Sequence, residues 1–366
     1  MNAKQVRITL VSVLAVLWLM LSVMAWLHPA KEMSEAERRK LQQFPEFTVE
    51  TILNGKFMAD FEAYTQDQFP MRDTFRRIKA VFSYDVLQKK DNNGIYIADG
   101  YAAQLEYPLS ETSLEGAVRK FQKLYDLYLK DCGDIYFAVV PDKGYYLAEE
   151  NGHLSLDYDA VYEAVARLSW AQQIDIRDCL TASNYYYTDT HWRQERLMAV
   201  AQKLCEALGV TKPELENYTV TELERPFYGV YYGQAALPMD PEPMYLLENE
   251  ILSSCVVTNH ETGKVGTVYD MDKLTSRDLY DVYLSGPAAL LTIENPSAAT
   301  DKELIVFRDS FGSSLIPLLL ADYARITVID TRYVVSEYVG SFVDFQGQDV
   351  LMLYSTLVLN SSLTLQ

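Results

Sequence analysis

Basic side chains are in short supply in this 366-residue chain: 32 Lys and Arg face 51 Asp and Glu, which leaves a formal net charge of −19. Such a surface repels phosphate backbones at range, and no Lys/Arg-rich stripe interrupts it, so nucleic acid is not an expected partner. Proline and glycine are also sparse, at 13 and 16 residues, and 49% of residues are hydrophobic. That balance excludes collagen-like, mucin-like and broadly disordered chains. The four cysteines, at 132, 179, 205 and 255, show no CxxC spacing and no Cys/His cluster, so neither a metal site nor a cofactor is indicated. Buried free thiols are the simplest reading, with one or two disulfides as the alternative.

One long apolar run stands out. From Ile8 to Leu27 twenty residues carry no charge, and as a helix at about 1.5 Å per residue they span roughly 30 Å, one bilayer crossing. The run ends in Trp26, an interfacial residue type, although Val23-Met24-Ala25 also fits a signal-peptide cleavage site. Lys4 and Arg7 on the short leading tail favour an inside N-terminus, against a weaker opposing pull from Lys31, Arg38, Arg39 and Lys40. The expectation is a single-pass plasma-membrane protein with the bulk of the chain extracytoplasmic. Residues 1–30 form the tail and anchor, 31–90 a helical stalk and 91–366 the main domain.

Within the stalk, residues 32–43 are charged and helical in character, and Phe57, Phe61, Tyr64, Phe75, Ile78 and Phe82 recur at helical spacing. After the Asn92-Asn93-Gly94 turn, short β-rich runs alternate with helical patterns, which predicts an α/β domain with a doubly wound, mostly parallel sheet. Strands are expected at Ile135–Val140, Ile174–Ile176, Glu303–Phe307, Arg325–Ile329 and Val350–Tyr354, and crossover helices over 117–129, 158–168 and 193–208. Residues 211–300, with Pro238, Pro241, Pro243 and many tyrosines, break the rhythm and read as an insertion.

With only four histidines, each can be weighed in turn. His28 sits at the membrane boundary, and His153 and His260 lie in turn-like contexts without a usefully spaced acid. His191 follows Asp189 by two residues in a strand-to-helix loop, where sites on α/β sheets form. An Asp at that spacing can accept the ring Nδ1–H and stabilise the imidazolium; equally, Asp189 could cap the next helix while His191 packs beside Trp192. Ser310, in Arg308-Asp309-Ser310-Phe311-Gly312, ends a buried strand at a sharp turn. Such a turn exposes Oγ as a nucleophile elbow does, although GxSxG is absent, and Asp309 or Ser310 as a helix cap is the competing reading. Lys143 at the end of the first strand could reach substrate or brace a loop. Tyr231 and Tyr232, beside Tyr228, could stack on a sugar or simply pack.

Several blocks in fixed order carry a resemblance: DQFPMRD at 67–73, NGIYIADGY at 93–101, VVPDK at 139–143, YYYTDTHW at 185–192, FYGVYYG at 227–233, YDVYLSGPAALLTIEN at 280–295, and RDSFGSSLIPLL with IDTRY over 308–333. From about residue 65 onward the chain resembles the DHHW family of SGNH-hydrolase-like proteins, related to the alginate O-acetylation proteins AlgJ and AlgX. The resemblance implies a flavodoxin-like SGNH fold, and it matches Asp189, His191 and Ser310 to the family's Asp-x-His pair and serine. Thr190 stands where the family's name has a second His, and Asp-x-His precedes the serine, a circular permutation of the usual SGNH order. No counterpart of the SGNH asparagine is found. The Ser310 N–H and a glycine N–H, of Gly229 or Gly286, are the candidate oxyanion donors.

By that resemblance the chain is expected to be an extracytoplasmic O-acetyltransferase acting on a cell-surface or exopolysaccharide through a Ser-His-Asp acyl-enzyme, with a membrane-bound O-acyltransferase supplying the acetyl group. The alternatives are a carbohydrate O-acetylesterase with the same triad and a non-catalytic carbohydrate-binding or assembly protein of the same fold.

Overall fold

The apolar run becomes one helix, α1 (Ala3–Leu27), which Asn2 and Gln5 open with reciprocal side-chain caps. None of its residues is buried, and its mean hydropathy of 2.5 makes it long and apolar enough to cross a membrane. The computed structural model describes residues 2–366 and divides into two compact units. One comprises residues up to Asn92 together with Gly233–Pro238, and the other holds Asn93–Tyr232 and Met239–Gln366.

In the first unit the periodic aromatics form α2 (Lys56–Asp67) and α3 (Arg72–Val81), and Phe44 packs edge-on against Phe57, Phe61 and Tyr64. The helix expected over 32–43 does not form. Instead Met33–Ser34 pairs antiparallel with Arg39–Lys40, and Arg38 takes a left-handed φ of 52°. Ion pairing outcompetes helical propensity here. Arg39 clasps Asp67 with two hydrogen bonds of 2.8 and 2.6 Å, while Arg72 and Arg76 both reach Glu37.

The second unit is built on an eight-stranded sheet. Its strands are β1 (Ile135–Val140), β2 (Gln172–Gln173), β3 (Val256–Asn259), β4 (Val265–Gly266), β5 (Leu290–Glu294), β6 (Lys302–Arg308), β7 (Tyr323–Ile329) and β8 (Asp349–Ser355), in the order β4-β3-β5-β7-β6-β8-β1-β2. From β7 to β2 every pairing is parallel, and the β4, β3 and β5 edge, all from the expected insertion, pairs antiparallel. Helices α4 (Glu111–Tyr128), α5 (Tyr158–Ala166) and α6 (Met198–Ala207) cover the sheet. Side chains alternate strictly between two cores. Leu304, Val306, Val328 and Leu351 meet α6 through Val200 and Leu204, while Ile305, Phe307, Val350 and Met352 share a core with Leu114, Phe121 and Val161 of α4 and α5. The expected doubly wound α/β class is therefore the observed one.

Two local expectations need correction. Strand pairing stops at Gln173, apart from one further bond from the Ile174 N–H to the Phe137 carbonyl, because the Asp175 carboxylate captures the Arg177 N–H at 3.0 Å and turns the chain into a 3-10 helix at Arg177–Cys179. Likewise the helix expected from Arg193 begins only at Met198, after a 3-10 turn at Gln194–Arg196, since the Arg193 N–H is held by the Asn184 carbonyl at 2.7 Å. All four cysteines are free thiols.

Phe307, with no exposed surface on central strand β6, reports on this core. Phe307→Ala is expected to lower the unfolding free energy by about 3–5 kcal/mol, measured by denaturant titration of the full chain in detergent.

Candidate functional site

Strand β6 ends at Arg308, and the next residue builds the turn. One oxygen of the Asp309 carboxylate accepts the Phe311 N–H at 3.0 Å and the other accepts the Ser355 N–H at 2.7 Å, so the turn is pinned to itself and to the end of β8. Asp309 is 1% exposed, and Ser310 stands at the tip, half-buried. The Ser310 backbone N–H has no acceptor among the described residues. The following Gly312 is sterically required: a Cβ there would lie 2.9 Å from Arg308 Cβ.

A second loop brings the histidine. Tyr185 and Trp192 form an antiparallel bridge, the Tyr186 N–H bonds the His191 carbonyl at 3.1 Å, and the chain between them projects as a tight tip. Inside the tip, Asp189 Oδ1 accepts both the His191 N–H at 3.0 Å and the ring Nδ1–H at 2.6 Å, while Oδ2 accepts the Val230 N–H at 2.8 Å. An ionised carboxylate only accepts, so the ring proton lies on Nδ1 and Nε2 is left with its lone pair toward the Ser310 hydroxyl, 2.8 Å away. Ser310, His191 and Asp189 thus form one hydrogen-bonded line, with Ser310 half-buried, His191 8% exposed and Asp189 fully buried.

The remaining residues singled out from sequence fall differently. Lys143 does not face solvent: it is 2% exposed, and its amine donates to the carbonyls of Ala102, Tyr186 (2.9 Å) and Tyr187 (3.4 Å), bracing the base of the histidine loop. Burial pushes its pKa down to about 7, against the opposing pull of Asp189, Glu242 and Asp142. Tyr231 is no sugar-stacking surface, being 3% exposed with its hydroxyl on Thr190 Oγ1 at 3.0 Å. Tyr232 is half-buried and packs against the exposed Tyr228 ring at 4.7 Å. The glycine N–H groups are both taken, Gly229 by Thr188 Oγ1 at 2.8 Å and Gly286 by the Tyr283 carbonyl at 3.1 Å, so neither is free to meet an oxyanion. Gly229 matters for another reason: a Cβ there would lie 2.3 Å from the Asp189 backbone. Arg332 braces Asp330 through two bonds of 2.9 and 2.7 Å.

Other contributors were not singled out from the sequence, or were noted there only as packing partners. Glu242 lies outside every block quoted above, yet its Oε1 accepts the Thr188 N–H at 3.0 Å and holds the loop from behind. Burial raises its pKa. Trp192 Nε1–H donates to the Phe311 carbonyl at 2.9 Å, and Gln194 Nε2–H donates to the Ser314 carbonyl at 2.9 Å. These two bonds tie the histidine loop to the serine turn.

The sheet is mostly parallel, with the serine turn at the C-terminal end of a central strand and the Asp-His pair on a neighbouring loop. The model of the DHHW family, described as DHHW protein, matches residues 174–329, a span that contains Asp189, His191 and Ser310 but not the N-terminal blocks. The chain is similar in fold to a DHHW family protein from Eubacterium siraeum, at 20% identity and a TM-score of 0.59 over 74% of this chain and 93% of that one. It is also similar to Bacillus cereus PatB1 with a sulfonyl adduct, at 16% identity and a TM-score of 0.58 over 72% of this chain and 95% of that one. The O-acetyltransferase domain of Pseudomonas putida AlgJ aligns at 14% identity over 73% of this chain and 92% of that one, with a TM-score of 0.44. No curated protein matches the sequence. The resemblance to the DHHW family and the SGNH-like fold both hold.

Two measurements probe this arrangement. Gly229→Ala is expected to displace Asp189 and to lower any His191-dependent turnover by on the order of tenfold or more, assayed beside wild type at equal folded fraction. For Lys143, the folded pKa lies below the unfolded value of 10.5, so between pH 7 and 10 the unfolded chain binds the extra proton and this group's contribution to stability rises with pH. The stability of wild type relative to Lys143→Met is expected to rise by at most about 1.4 kcal/mol per pH unit across that window, read from denaturant midpoints.

Proposed function

We propose that the chain is a membrane-anchored, extracytoplasmic O-acetyltransferase that moves an acetyl group onto a hydroxyl of a cell-surface or exopolysaccharide. In this reading residues 1–30 anchor the protein, 31–90 form a stalk, and 91–366 hold the catalytic domain, with 211–300 as an insertion that shapes acceptor choice. The observation that carries it is the line from Ser310 Oγ to His191 Nε2 (2.8 Å) and from His191 Nδ1 to Asp189 (2.6 Å). Ser310 Oγ attacks the acetyl carbonyl of an activated donor while its proton passes to His191 Nε2. Asp189 stabilises the imidazolium, and the Ser310 N–H donates to the developing oxyanion. The donor's leaving group departs with the proton from His191, which leaves acetyl-Ser310. A sugar hydroxyl then attacks, its proton goes to His191, and Ser310 recovers that proton as the acetylated glycan leaves. A membrane-bound O-acyltransferase is the source of acetyl groups consistent with α1 lying in the bilayer.

The full chain in detergent, incubated with an activated acetyl ester and examined by intact mass, is expected to gain one acetyl group on Ser310. Ser310→Ala is expected to gain none and to lose turnover by on the order of a thousandfold or more. An aryl sulfonyl fluoride, chosen in view of the sulfonyl adduct on PatB1, is expected to block the same residue. Acetate release that oligosaccharides do not compete with would convert the reading to an esterase. A Ser310→Ala protein identical to wild type in every assay would leave a binding protein.

A further inference from the structure

We infer that Tyr280 is a positioning residue for the general base, and that its ring face favours the protonated form of His191. This rests on the triad reading of the same site. The two rings lie face to face, with centroids 3.9 Å apart and planes within 7°. Few contacts fix an imidazole so completely: the stack sets the plane of the ring, and within that plane Asp189 and Ser310 set its rotation. Phe311 also approaches the imidazole, with ring centroids 5.1 Å apart and planes tilted by 58°. Tyr280 is itself immobilised, since its hydroxyl meets Ser314 Oγ at 2.7 Å and its ring packs on Tyr283 at 5.0 Å. Ser314 belongs to the segment that opens after the nucleophile turn, so the clamp on the base and the turn that carries Ser310 share one anchor.

The electrostatic consequence follows from the order of proton transfer. The π face of a phenol carries partial negative charge and attracts a cation. His191 is neutral before attack and cationic once it holds the serine proton, so the stack contributes in the transition state and not in the resting enzyme. With His191 at 8% and Tyr280 at 3% exposure, water does little to screen the interaction. Of the charged groups around the pair, Asp189 bonds the imidazole, Asp189, Arg308 and Asp309 act on Tyr280, and Lys143 lies within electrostatic reach of Asp189, Glu242 and Asp142. A substitution at Tyr280 removes none of them.

The test titrates His191 directly. Histidine Cε1–H resonances are followed by NMR from pH 4 to 9 on the full chain in detergent micelles, with His191 assigned by loss of its peak in His191→Gln; the chain has only four histidines. Tyr280→Leu, which keeps an apolar side chain and loses the π face, is expected to lower the His191 midpoint by about 0.5–1 unit. It is also expected to reduce kcat for acetyl transfer by about tenfold with KM little changed. Tyr280→Phe, which keeps the ring and loses the bond to Ser314, is expected to retain the wild-type midpoint. If circular dichroism shows that Tyr280→Leu does not fold, Tyr280→Met takes its place. A midpoint in the Leu or Met variant equal to wild type overturns the inference, as does an equal shift in Tyr280→Phe. Failure of the triad reading is seen separately, as absence of a Ser310-dependent acyl-enzyme in wild type, because the titration needs no turnover.

Discussion

Two hydrogen bonds between segments far apart in sequence hold this site together. Trp192 Nε1 donates to the Phe311 carbonyl, and Gln194 Nε2 donates to the Ser314 carbonyl, each at 2.9 Å across about 120 residues of chain. Neither donor belongs to the Ser310–His191–Asp189 line, and together with the ring contacts of His191 and Trp192 to Phe311 they hold the histidine loop against the serine turn. Their acceptors are backbone carbonyls on either side of Gly312, so they fix the trace of the chain that follows Ser310. Gln194 is in turn held by the Leu247 N–H and the Tyr269 hydroxyl, which extends the same tie into the segment that follows residue 211. Leu247 and Tyr269 are therefore part of the scaffold of the site.

The rim of the sheet is also where this acidic protein buries charge. Asp142, Asp189, Glu242, Asp309 and Asp330 are all nearly inaccessible, and each accepts hydrogen bonds from backbone N–H groups, hydroxyls or a guanidinium. A buried carboxylate is costly when left alone and strongly directional when satisfied. Here the cost is offset by orientation: Asp142 pins the end of β1 to Thr356, and Asp309 pins the end of β6 to β8. Lys143, the one lysine buried among them, spends its donors on carbonyls instead of forming an ion pair.

Much of this could be read from the chain and some could not, for identifiable reasons. The central strands were legible because burial on both faces demands continuous Ile, Val, Leu and Phe. Asp189 and His191 were legible because they meet locally, and Ser310 because a polar turn ends an apolar strand. Gly229 and Gly286 were misread as oxyanion donors since sequence shows that a glycine is present but not where its N–H points. For Tyr231 the sequence left stacking and packing open, because exposure depends on tertiary packing; the ring is 3% exposed. Tyr280 and Glu242 were silent, as their roles arise wholly from tertiary contact. The ladder at Met33–Lys40 shows ion pairing overriding helical composition, a competition that periodicity does not capture.

The place of β8 has a consequence for how the protein comes into being. The last strand in the chain is not at an edge; it lies between β6 and β1, with parallel partners on both sides. During synthesis from the N-terminus, β1 with its helices and β6 with its neighbours exist before the strand that joins them, each with an open edge facing the gap. Asp309 likewise waits for the Ser355 N–H, which arrives with the same strand. The turn that carries Ser310 is thus complete only once β8 has taken its place between β6 and β1.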